Sequence, residues 1–209
     1  NSKTREETHG GVKVIFLASL AFPTYDDYRI SLPTSNLVKK RLKEFKPDIV
    51  HVHTPFGLGW MGLRYAKRHN APVIGTYHTL IPEFMMYLPI PVFKRTKTAK
   101  NLAWKYTNFF YNKCSVVTTP SLSMKEELER NGTKKVTVLP NAIHFDLFNK
   151  HAKKNYSSKK IRILYFGRIG FEKNIEVLIF AVKYLLKKHK HFSLSITGSG
   201  PAIAHLKNV

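Results

Sequence analysis

Short apolar segments alternate along this chain with longer segments whose apolar residues recur at helical spacing. The short segments are rich in β-branched and aromatic residues, which favour strands, whereas the longer ones fit helices with one apolar face. Strands that alternate with helices form βαβ units, whose strands run parallel. The sequence therefore predicts an α/β fold built on a doubly wound parallel sheet.

The boundaries of the predicted elements follow from this alternation and from the prolines and glycines between segments. The segment 22–32, rich in aromatic residues and proline, is predicted to be irregular. The predicted strands are Val12–Ala18, Asp48–His53, Pro72–Tyr77, Ser115–Thr119, Val136–Leu139, Ile161–Phe166 and Phe192–Thr197. The predicted helices are Leu37–Phe45, Gly59–His69, Asn101–Tyr111, Ser121–Asn131 and Asn174–Lys188.

A polar, lysine-rich segment divides this pattern into two parts. We expect a first domain over residues 1–147, a linker over 148–160 and the first part of a second domain over 161–209. The last of these has too few elements to cover both faces of a sheet. We therefore expect the chain to be a part of a longer protein or to be completed by a partner.

The chain is strongly basic, with 35 Lys and Arg against 13 Asp and Glu and a net charge of +22. Such an excess favours polyanionic partners, namely nucleic acid, anionic lipid or phosphorylated small molecules. The basic residues are spread along the whole chain and form no recognisable nucleic-acid module, which disfavours nucleic acid. A generally lysine-rich composition would explain the charge equally well.

Cysteine use and hydropathy narrow the class of protein further. The single cysteine, Cys114, excludes an internal disulfide and is typical of a reducing cytosol. Its apolar surroundings predict a buried structural thiol rather than a nucleophile. The sequence contains no apolar run of the roughly 18–20 residues that a membrane span needs.

The segment Gly167–Asn174 joins a predicted strand to a predicted helix and carries two cations, Arg168 and Lys173. Glycine lets the backbone approach a ligand closely, and the start of a helix offers unpaired N–H groups. The two cations would then neutralise the charge on a departing phosphate. An ordinary turn with solvated cations explains the same residues, so the segment alone leaves both interpretations open.

Three histidines lie at or near predicted strand ends, where ligands bind in open parallel sheets. His78 fits either a binding site or a turn held by hydrogen bonds to the backbone. His51 and His53 share one face of a strand and could in principle bind zinc, but no further ligand is placed to complete such a site. A structural role is therefore favoured for this pair, with His53, nearer the strand end, the better candidate for lining a site.

The stretch from Lys94 to Lys113 has six cations, no acidic residue and several interleaved aromatic residues. One interpretation is a basic, aromatic surface that lies on an anionic membrane. In the other, Leu102, Tyr106, Phe109 and Phe110 form one helix face that packs on the sheet, and the lysines are simply solvated. The sequence favours neither.

Several of these segments together, in this order, resemble the family 4 glycosyltransferases of GT-B architecture. The group includes lipid glycosyltransferases such as diacylglycerol glucosyltransferases and phosphatidylinositol mannosyltransferases, and the resemblance extends over nearly the whole chain from Val12. The motifs that carry it are His51–Gly57, Gly75–Thr79, Pro120-Ser121 through Leu139-Pro140-Asn141, Gly167–Asn174 and Thr197–Pro201.

The resemblance implies two facing Rossmann-like domains, with an acceptor bound by the first and a nucleotide-sugar donor by the second. Arg168 and Lys173 match the basic pair that grips the donor diphosphate and stabilises it as the leaving group. The donor would also contact Gly167, Gly198 and Gly200. Family members generally need no divalent metal or other cofactor, which agrees with the lack of an Asp-x-Asp pair in this sequence.

On the acceptor side, His78 matches the histidine that contacts the transferred sugar or the acceptor. His53 and Tyr77 are predicted to contact the acceptor as well. The implied activity is a retaining transfer of a hexose to a lipid or glycan acceptor. The resemblance also implies a cytoplasmic protein, peripheral at the inner face of the cell membrane.

This chain departs from the family pattern in three ways. The family's first strand with its glycine-rich loop, and its two-glutamate donor motif, would lie outside residues 1–209. Ala142 also stands where the family usually has glycine. We therefore expect no turnover by this segment alone. The alternatives are a non-catalytic or split subunit, a polyanion-binding protein that acts through charge, or a phosphorylase or sugar-nucleotide epimerase of the same fold.

Overall fold

The computed structural model describes residues 4–22, 25–31, 35–78, 80–84, 96–148 and 161–209. The chain forms two compact units, one of Asn1–Thr24 with Tyr28–Ala142 and the other of Tyr25–Asp27 with Ile143–Val209. The predicted linker, 148–160, lies outside the described residues except at its first position. Each unit is described by itself below.

The chain begins with two small strand pairs. Strands β1 (Arg5–His9) and β2 (Val12–Phe16) form an antiparallel hairpin, and β3 (Ser19–Phe22) pairs with β4 (Tyr25–Ser31). The expectation of an irregular segment over 22–32 was therefore wrong. The sequence also counted the strand at Val12 among the parallel strands, which was wrong. Gly10 and Gly11 both adopt positive φ and make a tight turn, so this strand pairs antiparallel with the one before it.

A four-stranded parallel sheet forms the centre of the first unit, with the strands in the order in which they occur in the chain. This confirms the parallel α/β architecture. The strands are β5 (Val50–Val52), β6 (Val73–Thr76), β7 (Val116–Thr119) and β8 (Val136–Val138). The helices of this unit are α1 (Asn36–Phe45), α2 (Gly57–His69), α3 (Ile81–Phe84), α4 (Lys97–Tyr111) and α5 (Leu122–Arg130).

The helices α2, α4 and α5 pack on the same face of this sheet. They bury Val50, Val52 and Val117 in one core with aromatic residues of α4 such as Phe110. Cys114 belongs to this core, so the prediction of a buried thiol is confirmed, and burial raises its pKa to about 11. Because side chains alternate along a strand, the other face carries His51, Ile74, Thr76 and Thr118.

The second unit contains one βαβ motif. Strand β9 (Ile161–Phe166) leads through α6 (Ile175–Lys188) to β10 (Phe192–Thr197), which pairs with β9 in parallel. A short 3₁₀ turn, Phe171–Lys173, precedes α6, and α7 (Ile203–Leu206) follows β10. Ile169, Ile175 and Ala202 form a small buried cluster in these described elements, and Val182 of α6 is buried as well, whereas large apolar side chains such as Phe166 and Phe180 are exposed.

Candidate active site

Three histidine rings lie together where β5 and β6 end. The ring centroids of His51 and His53 are 4.1 Å apart, and those of His53 and His78 are 5.1 Å apart. A hydrogen bond of 2.8 Å joins Nδ1 of His53 to Nε2 of His78. We call these three residues the histidine cluster, and two of its members, His53 and His78, are the residues that the sequence predicted for the acceptor side.

The hydrogen bond between His53 and His78 restricts their protonation. One ring must carry a proton on the shared nitrogen and the other must offer a lone pair there, so the two rings are not both charged while the bond exists. Partial burial, and then the neighbouring His53, lower the pKa of His78. Burial, followed by His53 and His78, likewise lowers the pKa of His51. His51 and His78 therefore favour the neutral imidazole, which can both donate and accept a proton.

A chain of hydrogen bonds holds the cluster to the sheet. Nε2 of His51 lies 2.6 Å from Oγ1 of Thr76, which lies 2.6 Å from Oγ1 of Thr118. Both threonine side chains are buried and sit at the same level of neighbouring strands. The sequence analysis missed His51 in this role and missed both threonines. In the sequence, each threonine could be recognised only by its position on one face of a predicted strand, and many threonines occupy such positions.

Tyr77 does not fit its predicted contact with an acceptor. Its side chain is 0% exposed and packs against Trp104 and Tyr111 in the core. The hydroxyl of Tyr77 accepts a hydrogen bond of 3.0 Å from the backbone N–H of Ile81. The reason is the two-residue period of the strand, which turns Tyr77 toward the helices and its neighbour His78 away from them.

The arrangement of the histidine cluster does not suit a metal ion. Within the described part of the chain, no three or more His, Cys, Asp or Glu side chains are grouped so that they could hold one. One nitrogen of His51 is engaged with Thr76, and the facing nitrogens of His53 and His78 are engaged with each other. The geometry favours hydrogen bonding over ligation of zinc.

In the second unit, the loops after β9 and β10 are bound to each other through their backbones. The N–H of Ile169 donates to the carbonyl of Ser199 at 2.7 Å, and the N–H of Ala202 donates to the carbonyl of Ile169 at 3.0 Å. We call these segments, residues 167–170 and 198–200, the glycine loops. They contain Gly167, Gly198 and Gly200, so the structure brings together all three glycines predicted to contact a donor.

Glycine is required at two positions of these loops. A Cβ atom at Gly198 would lie 1.8 Å from the carbonyl oxygen of Gly167, and one at Gly200 would lie 2.3 Å from that of Ile169. Both glycines also have a strongly positive φ, of 153° and 150°. The absence of side chains therefore lets the two loops approach to hydrogen-bonding distance.

The two predicted donor cations lie shortly before the start of α6. Arg168 follows Gly167, and its side chain is 45% exposed and 3.6 Å from the carboxylate of Glu172. Lys173 is exposed and closes the 3₁₀ turn, two residues before α6 begins at Ile175. The hydroxyl of Tyr165 donates to the carbonyl of Arg168 at 2.8 Å and so holds the loop. Sequence reasoning did not single out Glu172 or Tyr165.

The local backbone explains why the helix starts there. Asn174 adopts a left-handed conformation with φ of 48°, which asparagine tolerates better than most residues, and α6 follows immediately. The first N–H groups of α6 and the positive end of its dipole thus lie in the same segment as Arg168 and Lys173. This combination of cations and helix start suits a phosphate-bearing ligand.

The basic, aromatic stretch of α4 divides into a buried and an exposed face. Phe110 is buried and Tyr106 is half-buried, whereas Leu102 and Phe109 are 54% and 58% exposed. Nζ of Lys113 lies 4.3 Å from the centre of the Phe109 ring. The hypothesis that all four of these apolar residues pack on the sheet is therefore wrong for Leu102 and Phe109. Among the described residues, no helix has the length and hydropathy to cross a membrane.

Comparison with known families identifies the class of protein. Residues 2–147 match the family model described as Glycosyltransferase Family 4. Because this match covers more than half of the chain, the chain belongs to glycosyltransferase family 4.

Several curated proteins are similar to the chain along most of its length. It is 27% identical over 207 residues to an alpha-monoglucosyldiacylglycerol synthase of Streptococcus pneumoniae, covering 93% of this chain and 46% of that protein. It is 27% identical over 179 residues to a GDP-mannose-dependent alpha-mannosyltransferase of Mycobacterium tuberculosis, covering 83% and 46%. The sulfoquinovosyl transferase SQD2 of Arabidopsis thaliana is 25% identical, with 91% and 38% covered. These relatives confirm the resemblance to lipid glycosyltransferases, and the chain spans less than half of their length.

Two solved structures share the fold. A TarM mutant of S. aureus, solved with fondaparinux, alpha-GlcNAc-glycerol and UDP, matches with a TM-score of 0.58 at 16% identity, over 82% of this chain and 33% of that one. The catalytic domain of starch synthase IV from Arabidopsis thaliana, bound to ADP and acarbose, matches with a TM-score of 0.50 at 14% identity, over 82% and 46%. They support the expected GT-B type of α/β fold.

Proposed function

We propose that the protein containing this chain is a retaining glycosyltransferase that moves a hexose from a nucleoside-diphosphate sugar to a lipid or glycan acceptor. The observation that carries the proposal is the pair of glycine loops, one of which contains Arg168, together with Lys173 and the start of α6. Membership of glycosyltransferase family 4 supports it. The named activities of the relatives, on diacylglycerol-based lipids and with GDP-mannose, support the substrate classes.

The donor binds in this proposal with its diphosphate at the second unit. Gly167, Gly198 and Gly200 of the glycine loops carry no side chain that would obstruct the phosphates, and the N–H groups at the start of α6 donate to them. As the bond between the sugar C1 and the diphosphate oxygen breaks, negative charge grows on the leaving group. Arg168 and Lys173 stabilise that charge, and this stabilisation increases toward the transition state.

The acceptor hydroxyl binds in this proposal near the histidine cluster. The new bond forms between the acceptor oxygen and C1 of the sugar, and the acceptor proton leaves to the diphosphate or to water. His78, held by its hydrogen bond to His53, contacts the transferred sugar or the acceptor. Its lowered pKa keeps it neutral near pH 7, so it can donate or accept a hydrogen bond there.

We further propose that the enzyme works at the inner surface of a membrane, without a metal cofactor. The exposed face of α4 supports the location, because Leu102 and Phe109 are exposed there with Lys105, and Lys113, just after the helix, lies against Phe109. The helix has no acidic residue. Apolar side chains flanked by lysines suit the boundary between lipid headgroups and acyl chains. The unpaired, buried Cys114 agrees with a reducing compartment.

Sugar transfer by variants of the protein containing this chain tests the proposal. Arg168→Gln and Lys173→Gln should each lower kcat/KM by about 100-fold or more, because each removes a charge that stabilises the leaving group. The control is Lys187→Gln, which removes an exposed cation at the other end of α6 and should leave activity unchanged. Normal activity in both variants would refute the proposed donor site.

Two further measurements sharpen this test. The NMR coupling of the product's anomeric proton reports whether the configuration is retained. Titration of UDP and GDP into the chain, followed by calorimetry, separates binding from transfer. Weaker nucleotide binding in Arg168→Gln and Lys173→Gln, with Lys187→Gln unaffected, is the expected result. Equal loss of nucleotide binding in all three variants would mean that net charge alone attracts the nucleotide.

A further inference from the structure

A groove of about 660 Å³ lies between α1 and α2, in the first unit. Its base is apolar, because Met61 is buried there and Leu42 and Tyr65 are half-buried. The hydroxyl of Tyr65 donates to the carbonyl of Leu42 at 3.1 Å and so ties the two helices together. The volume is within the range of about 300–1,000 Å³ that is usual for small-ligand sites.

The walls of the groove are strongly basic. Six of the residues that line it carry a cationic or imidazole group, and only Glu44 is acidic. The basic residues are Lys39, Lys40, Lys43, Arg64, Arg68 and His69. They come from two helices, which the hydrogen bond between Tyr65 and Leu42 joins, so the tertiary structure brings the two sets of charges to one groove.

The single acidic residue is already neutralised from outside the groove. The carboxylate of Glu44 accepts a hydrogen bond of 2.7 Å from Arg41, which also binds Glu6 at 2.9 Å, and Arg41 lowers the pKa of Glu44. Lys40 approaches Glu44 only to 4.0 Å. Among the described residues, no ion pair joins Lys39, Lys43, Arg64 or Arg68 to a carboxylate.

Favourable interaction with the helix dipoles explains the position of only some of these basic residues. Lys43 lies in the last turn of α1, and Arg68 and His69 lie in the last turn of α2, where cations are favourable. Lys39 and Arg64 lie earlier in their helices, so the dipoles give no reason for them. Unpaired like charges that face one groove repel each other, and an anion bound between them relieves that repulsion.

We propose that this groove binds a phosphate group. Arginine offers two parallel N–H donors to phosphate oxygens, and lysine adds a compact charge on a flexible stem. The apolar base, with Tyr65 stacked at 4.3 Å on His69, would contact the organic part of the ligand. The phosphate belongs either to the headgroup of an anionic lipid or to a phosphorylated solute. The site does not depend on the transfer reaction.

The first experiment is an amide NMR titration of the chain with inorganic phosphate. We expect saturable shifts confined to residues 39–44 and 64–69. The triple variant Lys39→Gln, Lys43→Gln, Arg64→Gln should weaken phosphate binding by about 10-fold or more. The matched control removes three exposed lysines of the second unit, Lys187, Lys188 and Lys190, and should bind phosphate as the unchanged chain does.

A second arm identifies the source of the phosphate. Co-sedimentation is measured with vesicles of phosphatidylcholine alone and with vesicles that contain phosphatidylglycerol. Loss of binding to the phosphatidylglycerol vesicles in the triple variant, but not in the control, assigns the groove to a lipid headgroup. Unchanged vesicle binding together with lost phosphate shifts assigns it to a phosphorylated solute.

Two results would overturn the proposal. One is the absence of phosphate shifts in the groove of the unchanged chain, which does not depend on any variant. The other is an equal loss of phosphate binding in the triple variant and the control, which would mean that net charge alone attracts the anion. If the triple variant does not fold, Arg64→Gln with Arg68→Gln replaces it, and the same result is expected.

Discussion

The histidine cluster and the glycine loops occupy equivalent places in their units, since each lies where neighbouring parallel strands end. They are built in opposite ways. The histidine cluster consists of side chains, which contact one another and bind the buried Thr76, and Thr76 in turn bonds to Thr118. The glycine loops are held together by their backbones, because the hydrogen bonds between them join N–H and carbonyl groups.

This difference determines what each site responds to. Imidazoles titrate near neutral pH, so the histidine cluster changes with protonation, whereas backbone groups do not. The glycine loops depend instead on the absence of Cβ atoms, because added atoms would meet a carbonyl oxygen. A side-chain site can thus change its chemistry while it keeps its shape. A backbone site keeps its chemistry but loses its shape if one atom is added.

The largest expected effect is that of Gly198→Ala. The new Cβ would lie 1.8 Å from the carbonyl oxygen of Gly167, so the loops must separate. We expect the free energy of unfolding of the second unit to fall by more than about 3 kcal/mol. Hydrogen exchange of the β9 and β10 amides measures it. The control is Gly10→Ala in the first unit, which has positive φ but no atom within 4 Å. It should lower the free energy of unfolding of that unit, measured from the exchange of its own amides, by about 1–2 kcal/mol. Equal losses would show that close approach is not what requires glycine.

A smaller loss is expected when the hydrogen-bond chain below the histidine cluster is cut. Thr76→Val keeps the shape of the side chain but leaves His51 and Thr118 without their shared partner. The free energy of unfolding should fall by about 1–3 kcal/mol, measured in urea by tryptophan fluorescence. Thr137→Val, at an exposed position of β8, should change it by less than about 0.5 kcal/mol. Similar values for the two variants would contradict a stabilising role for this series of hydrogen bonds.

The histidine cluster should also make stability depend on pH. The pKa values of His51 and His78 are lower in the folded protein than the ordinary value of about 6.5. Below that pH the unfolded chain binds more protons than the folded one, so the free energy of unfolding falls as the pH is lowered through and below about 6.5. Denaturation at several pH values measures this slope. In the double variant His51→Asn, His78→Asn the slope should be shallower, and an unchanged slope would exclude the cluster as its source.

The smallest expected effect is a change in the pKa of His78. Burial lowers the pKa of His78 most and His53 lowers it further, so His53→Asn should move that pKa part of the way back toward its ordinary value. The ring-proton chemical shift of His78, followed during a pH titration, measures the change. His144→Asn removes a histidine outside the cluster and should leave the titration of His78 as it was. If both variants titrate alike, the contact between His53 and His78 does not influence protonation.

The sequence predicted the positions of the strands and helices well, and the neighbours that each of them packs or pairs with less well. Apolar periodicity located β5 to β10 and the long helices, because burial of one face imposes that period. It did not distinguish the antiparallel strand at Val12 from a parallel one, since both alternate with the same two-residue period. Nor did it separate Tyr77 from His78, because the direction of a side chain at a strand end depends on which face the helices cover.

The sequence by itself determined the alternation of strands and helices, the family, the buried thiol of Cys114 and the order of the glycine and cation motifs. These depend on local periodicity and on residue types at short spacing. Only the tertiary structure decided that His51, Thr76 and Thr118 form one hydrogen-bond chain, that the two glycine loops touch, and that α1 and α2 enclose a basic groove. Each of these joins residues that are far apart in the chain, and their distances exist only once the strands and helices have packed.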